Sequence, residues 1–287
     1  MNEAQTLLDI EKIMSCVSSR NYHWKNFKSD YALWLDDARA VYDDIFEYTP
    51  LIQAYFDLMP ERIDWFDQTV FDDHRAFKDF QSRLAQQQQR FIEKYKDRND
   101  ADKKRLFDYF NNLVHQHRKL LLVRVDLSYQ YRTSPKVKQF DRDVKKLINR
   151  VQNKDTIFTG QVGYAYRLEQ GGKSKGYHCH LLVIYNGSKH CQDSYLGQSI
   201  GELWQKEITR GDGLFYNCNQ KEHKRYYDNY EALGIGMIER SDKTSINNAY
   251  KAISYLANPD KDQQYMRVSL SIQMRQFQMG QFKGRRV

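Results

Sequence analysis

The chain has 287 residues, 40% of them hydrophobic, with only 14 glycines and four prolines. This excludes a disordered or collagen-like polypeptide and allows one large domain or two small ones. The net charge of +8 is unevenly spread: residues 1–118 hold 21 acidic and 17 basic side chains, whereas residues 119–287 hold 16 and 28. The second part therefore has the charge expected of a polyanion binder.

No apolar run approaches the roughly 18 residues of a membrane span, so no membrane association is expected. The polar start Met1-Asn2-Glu3 lacks the basic and apolar segments of a secretory signal. Cys16, Cys179, Cys191 and Cys218 form no CxxC pair, which suits reduced thiols in a cytoplasmic protein.

Residues 1–118 read as a helical N-terminal region. Leu51, Tyr55, Leu58 and Met59 recur at helical spacing. Residues 77–96 contain no proline or glycine and are rich in Gln, Arg and Lys, which are good helix formers. The charged stretch Asp97-Arg98-Asn99-Asp100 reads as a turn before a further helix over residues 101–117. At Lys119 the pattern changes. Residues 120–127 begin as continuous apolar sequence and end in alternation, the mark of a largely buried strand. Phe140, Val144, Leu147, Ile148 and Val151 form one face of an amphipathic helix. A second strand is expected over residues 157–168, a glycine-containing turn over 170–176 and a third strand over 177–185. Helices are expected over 199–208 and, capped by Thr244 or Ser245, up to Pro259. The fold class is α+β, with an antiparallel sheet and flanking helices over residues 119–287.

His178 and His180 lie two apart on the third strand, so alternation places both imidazoles on one face and Cys179 on the other. The glycine turn brings Glu169 to the same end of the hairpin, completing a two-His, one-carboxylate set with open positions. Such a mixed site suits Mn2+ better than Mg2+. Two surface histidines facing solvent are the plainer alternative. A second pair, His115 and His117, falls at a helix end, where side chains two apart diverge, and is read as favourable to the macrodipole.

Tyr255 is the candidate nucleophile, since tyrosine forms covalent intermediates when a cation or base assists it. Lys251 lies one helical turn earlier on the same face; Tyr250 points elsewhere on the helix. With 21 tyrosines in the chain, packing is the competing explanation for any one of them. The tail residues Lys283, Arg285 and Arg286 are candidates for phosphate contacts, the alternative for the tail being a solvated terminus.

Together, Glu169, Tyr177-His178-Cys179-His180-Leu181-Leu182 and the later helical tyrosine resemble the HUH endonuclease superfamily, and within it the inovirus-type replication initiator (gene II protein) family. Gly201-Glu202-Leu203-Trp204, Tyr216-Asn217-Cys218-Asn219 and residues 275–280 agree with it, and through this resemblance Arg275 is a nucleic-acid-binding candidate; the resemblance spans about residues 119–287. It implies an HUH/RRM-like nicking domain and a metal-dependent, tyrosine-mediated cut in single-stranded DNA at a replication origin. Tyr255 would form a 5′-phosphotyrosine and free a 3′-hydroxyl for rolling-circle synthesis. The strand over residues 121–128 resembles the superfamily's first motif, which supports the site from the sheet centre. One position departs: Asn258 stands where the family often has a lysine three residues after the tyrosine. Either Lys251 or Lys261 replaces that charge, or activity is weakened, or the chain is a DNA-binding regulator that keeps the fold without cutting. A metal phosphoesterase of another kind is a third alternative, disfavoured by the lack of a His-x-Thr or His-x-Ser motif.

Overall fold

The computed structural model describes residues 2–59, 68–133, 135–171, 176–257, 264–270 and 274–282. In chain order its first elements are α1 (Glu3–Ser18), α2 (Phe27–Ala32), α3 (Leu35–Val41), β1 (Glu47–Tyr48), α4 (Pro50–Asp57), α5 (Gln68–Phe71) and α6 (His74–Gln116). Then come β2 (Lys119–Tyr129), α7 (Val137–Asn153), β3 (Gln161–Gln170), β4 (Tyr177–Asn186), α8 (Asp193–Glu202) and β5 (Gly213–Asn217). The last are α9 (Lys221–Asp228), β6 (Gly236–Glu239), α10 (Lys243–Ala257), β7 (Val268–Ser269) and β8 (Phe277–Met279).

The chain divides into two compact units, the first comprising Met1–Asp97 with Met266–Met274 and the second Arg98–Tyr265 with Arg275–Val287. In the first unit, Asn2 caps α1 by accepting a hydrogen bond from the Gln5 amide at 3.2 Å. Leu7, Ile10, Met14 and Val17 then form its buried stripe. Tyr31 and Tyr55 stack at 4.2 Å, each hydroxyl donating to the other's backbone carbonyl. The later segment joins this unit through the β1–β7 ribbon and a buried Arg267–Glu11 ion pair at 2.6 Å.

The second unit is built on a sheet in the order β5-β2-β4-β3-β8, with every adjacent pair antiparallel and β6 also pairing with β2. One sheet face carries Leu120, Leu122, Ala165, Leu182, Ile184, Ile238 and Phe277. Against these pack Leu106, Tyr109, Phe110, Leu113 and Val114 of α6 and Ala249, Ile253, Leu256 and Ala257 of α10. The opposite face is covered by α7, whose Phe140 stacks on Tyr177 at 5.5 Å, and by the fully buried Trp204, which meets Tyr129 edge-on at 5.3 Å. The expected apolar face of α7 is fully buried.

Four expectations about elements change. There is no turn at residues 97–100: α6 runs through them without interruption, because charge alone does not stop a helix that has no proline or glycine. Asn99 and Asp102 are in fact buried there. By packing, the chain divides after Asp97, and the second half of α6 supplies core to the sheet. Residues 156–158 form a short 3-10 turn, and β3 starts only after Gly160, whose φ is +78°. Finally, α10 is capped by Asp242, whose Oδ1 accepts from the Thr244 and Ser245 amides, and the helix expected over 199–208 starts earlier, at Asp193.

Candidate metal centre

The β3–β4 hairpin builds the site. Its ends are joined by a hydrogen bond from the Gly171 amide to the Gly176 carbonyl at 2.9 Å. Gly176 has φ +52°, a backbone conformation that glycine adopts at little cost; residues 172–175 of the expected turn lie outside the described residues. The register sets Glu169 opposite His178, and Arg167 opposite His180, which is also opposite Asp126 of β2. Directly paired residues share a face, so these five side chains stand together. Cys179 lies on the other face and is fully buried.

Glu169, His178 and His180 offer ligand atoms that all lie within 4.8 Å of one another. The Nε2 atoms of both histidines are 3.2 Å from the same carboxylate oxygen, Glu169 Oε2. About 3 Å is the edge of an octahedron whose metal–oxygen bonds are ~2.1 Å. The other ring nitrogens are occupied: His180 Nδ1 contacts Asp126 Oδ1 at 2.7 Å and His178 Nδ1 contacts the Gly176 carbonyl at 3.3 Å. Donation from Nδ1 leaves the Nε2 lone pairs for a metal. The donor set and its orientation therefore fit a divalent ion.

Each ligand is held from behind. Arg124 Nε lies 3.2 Å from Asp126 Oδ1. Arg167 Nε lies 3.3 Å from Glu169 Oε1, with both side chains almost fully buried. Arg167 also donates to Asn99 Oδ1 at 3.1 Å and to the carbonyls of Leu256 and Ala257 at 3.4 and 3.2 Å. These carbonyls end α10, so the cation meets both the helix's negative terminus and the carboxylate.

The electrostatics follow from this packing. Burial opposes ionisation of Glu169, but hydrogen bonds from His178 and His180 prevail and bring its pKa down to about 2. Asp126 is likewise held well below the carboxylate range, burial being outweighed by His180 and Arg124. Burial disfavours a charged His180, yet its bonds to Asp126 and Glu169 lift it to about 9. Before a metal binds, His180 is thus a cation between two anions.

Tyr255 and Lys251 sit on the exposed side of α10, as their spacing predicts. Tyr250 instead packs edge-on against Phe107 and Phe110 at 5.0 and 5.2 Å, which marks it as a packing residue. Arg275 lines a groove of about 800 Å3 together with Arg105, His117, Lys154 and Tyr164, a setting distinct from the ligand cluster. Lys283, Arg285, Arg286, Asn258 and Lys261 lie outside the described residues. His115 ends α6 with His117 just beyond it, as expected.

Asp126 and Arg167 join the candidate site through His180 and Glu169, and neither was expected there from the sequence. A signal existed for Asp126, a charge on the alternating half of an otherwise apolar strand. Residues 201–204 and 216–219 contribute to the fold. Asn219 is fully buried and donates to the Leu122 carbonyl and Asp193 while accepting from the Arg124 amide. Trp204 donates to the Ser128 carbonyl at 2.9 Å. Among the described residues, no helix is long and apolar enough to cross a membrane. Comparison with protein-family models, with curated proteins and with solved structures finds no match to this chain.

Proposed function

We propose that this chain nicks and rejoins single-stranded DNA, as an initiator of rolling-circle replication does. Glu169, His178 and His180 would hold Mn2+ or Mg2+, and Tyr255 would be the nucleophile. The observation that carries the reading is the convergence of two oriented Nε2 atoms on one buried carboxylate oxygen. It is the facial two-His, one-carboxylate arrangement, which leaves positions for a substrate. The side chain of His180 is 17% exposed and that of Asp126 29%, which gives the centre an approach from solvent. The antiparallel sheet with helices on both faces is compatible with the HUH-type domain that the sequence resembles.

A bound divalent ion would polarise the scissile phosphodiester. The chain's own residues do the rest. Arg167 and Asp126 hold Glu169 and His180 in place. Tyr255 attacks phosphorus, the bond to the 3′ oxygen breaks, and the phenolic proton ends on that oxygen through solvent. Lys251, one turn before on the exposed side of the helix, would place a cation on the same face as the nucleophile. The same Arg167 that contacts Glu169 holds the carbonyls of Leu256 and Ala257, so the backbone next to Tyr255 is tied to a ligand carboxylate.

The test is covalent capture. With Mn2+ and a labelled single-stranded oligonucleotide, the unmodified chain forms an adduct whose peptide mass, after nuclease digestion, falls on Tyr255. Tyr255→Phe retains binding and forms none. An adduct that survives Tyr255→Phe moves the nucleophile elsewhere. Binding without any adduct across a library of sequences favours the non-cleaving regulator instead.

A further inference from the structure

Next to the metal centre lies a second feature that the chemistry above does not use. Tyr216 of β5 pairs in register with Asp126, so its side chain shares the sheet face of His180. From there a series of rings leads away. The Tyr216 hydroxyl meets His223 Nδ1 at 2.9 Å, with ring centroids 5.4 Å apart. His223 follows to Tyr227 at 5.1 Å, Tyr227 to Tyr226 at 5.3 Å, and Tyr226 to Tyr230 at 5.3 Å.

These rings face water. Tyr216 is 50% exposed, Tyr226 60% and Tyr230 70%, and α9 buries none of its residues. A segment that covers no core gains nothing for the fold from three tyrosines and a histidine within residues 223–230, two of the tyrosines on α9 and Tyr230 just beyond it. Exposed rings held in mutual contact do form a preordered platform for other flat apolar faces. The exposed charges of α9 pair off by sign, Lys221 and Arg225 against Glu222 and Asp228. Ring faces rather than net charge therefore dominate this surface.

We propose that the Tyr216–His223–Tyr227–Tyr226–Tyr230 series is a base-stacking surface that carries single-stranded DNA to or from the metal centre. The inference rests on the nicking reading for its substrate and adds where the strand lies. Stacking selects single strands, because a duplex hides its base faces. It tolerates any sequence, since every base has a π-face.

The experiment uses the full chain in EDTA, so that binding does not depend on a metal. A fluorescein-labelled oligothymidylate is titrated and followed by anisotropy. Tyr226→Ala combined with Tyr230→Ala weakens binding by about ten- to a hundredfold. Tyr226→Phe with Tyr230→Phe, which keeps the rings, binds like the unmodified chain. Both variants keep the original melting temperature, because the two side chains cover no core. If the alanine variant binds as tightly as the original, or if the phenylalanine variant is equally weakened, stacking at this surface is wrong. Adduct formation by the unmodified chain with Mn2+ is scored separately and reports on the nicking reading alone. A chain that neither binds the oligothymidylate nor forms an adduct overturns both.

Discussion

The two ends of one sheet face differ more than any other neighbouring parts of this molecule. At one end Leu120, Leu122, Ala165, Leu182 and Ile184 are sealed under α6 and α10. At the other, on the same three strands, stand Arg124, Asp126, Arg167, Glu169, His178 and His180. The backbone is continuous and the register unchanged. What differs is the side-chain chemistry and the cover. The apolar end stabilises by removing carbon surface from water. The polar end carries a desolvation cost, offset only because each charge has a placed partner. The sealed apolar core and the candidate metal cluster are thus separated along the strands, within a few residues of each other.

The strongest way to break this separation is Glu169→Ala, which acts on both properties. It removes a ligand and leaves the buried Arg167 cation without its carboxylate, at about 3–5 kcal/mol. Calorimetric titration with Mn2+ is expected to show no binding, and denaturant unfolding a lowered midpoint. Retained Mn2+ binding would remove Glu169 from the ligand set. Next is Leu182→Ala at the sealed end, worth about 2–5 kcal/mol of stability. Mn2+ affinity of the folded protein should stay unchanged; a parallel loss of affinity would show that the two ends are coupled.

A smaller effect is expected from Asp126→Asn, which keeps a hydrogen-bond acceptor but removes its charge. Outer partners of metal-bound histidines contribute about 10–100-fold in affinity. The His180 pKa should fall from about 9, readable by NMR titration. The gentlest test is pH. Because His180 is raised to about 9, metal must displace a proton at neutral pH. Mn2+ affinity should then rise by about tenfold per pH unit until that value is passed. Glu169, down at about 2, stays ionised and adds no slope. In the metal-free chain the sign is opposite for folding. The stability contributed by His180 is complete below 6.5 and is lost as pH rises through about 9. An affinity that is flat in pH would count against His180 as a ligand.

Much of the site was legible in advance because strand alternation is a local rule. Two histidines two apart share a face, and a short hairpin returns Glu169 beside them. The change in β2 from continuous apolar to alternating marks where the face passes from sealed to polar. What stayed hidden was non-local. Arg167 carries no local signal, because it meets α6, α10 and Glu169 only in the folded chain. The Asp97–Asp100 stretch looked like a break because charge resembles loop composition, although nothing in it stops a helix. Tyr250 and Tyr255 could not be separated as packing and exposed residues until Phe107 and Phe110 were seen against the first.

The sequence by itself determined the three central strands of the sheet, the juxtaposition of Glu169, His178 and His180, and the basic character of residues 119–287, since periodicity and composition act over a few residues. Only the tertiary structure decided the rest: that α6 runs across the division between the two units, that Asp126 and Arg167 contact the candidate ligands, and that a series of exposed rings leads away from Tyr216. Those facts depend on which strands pair and which helix faces are covered, and residues far apart in the chain set them together.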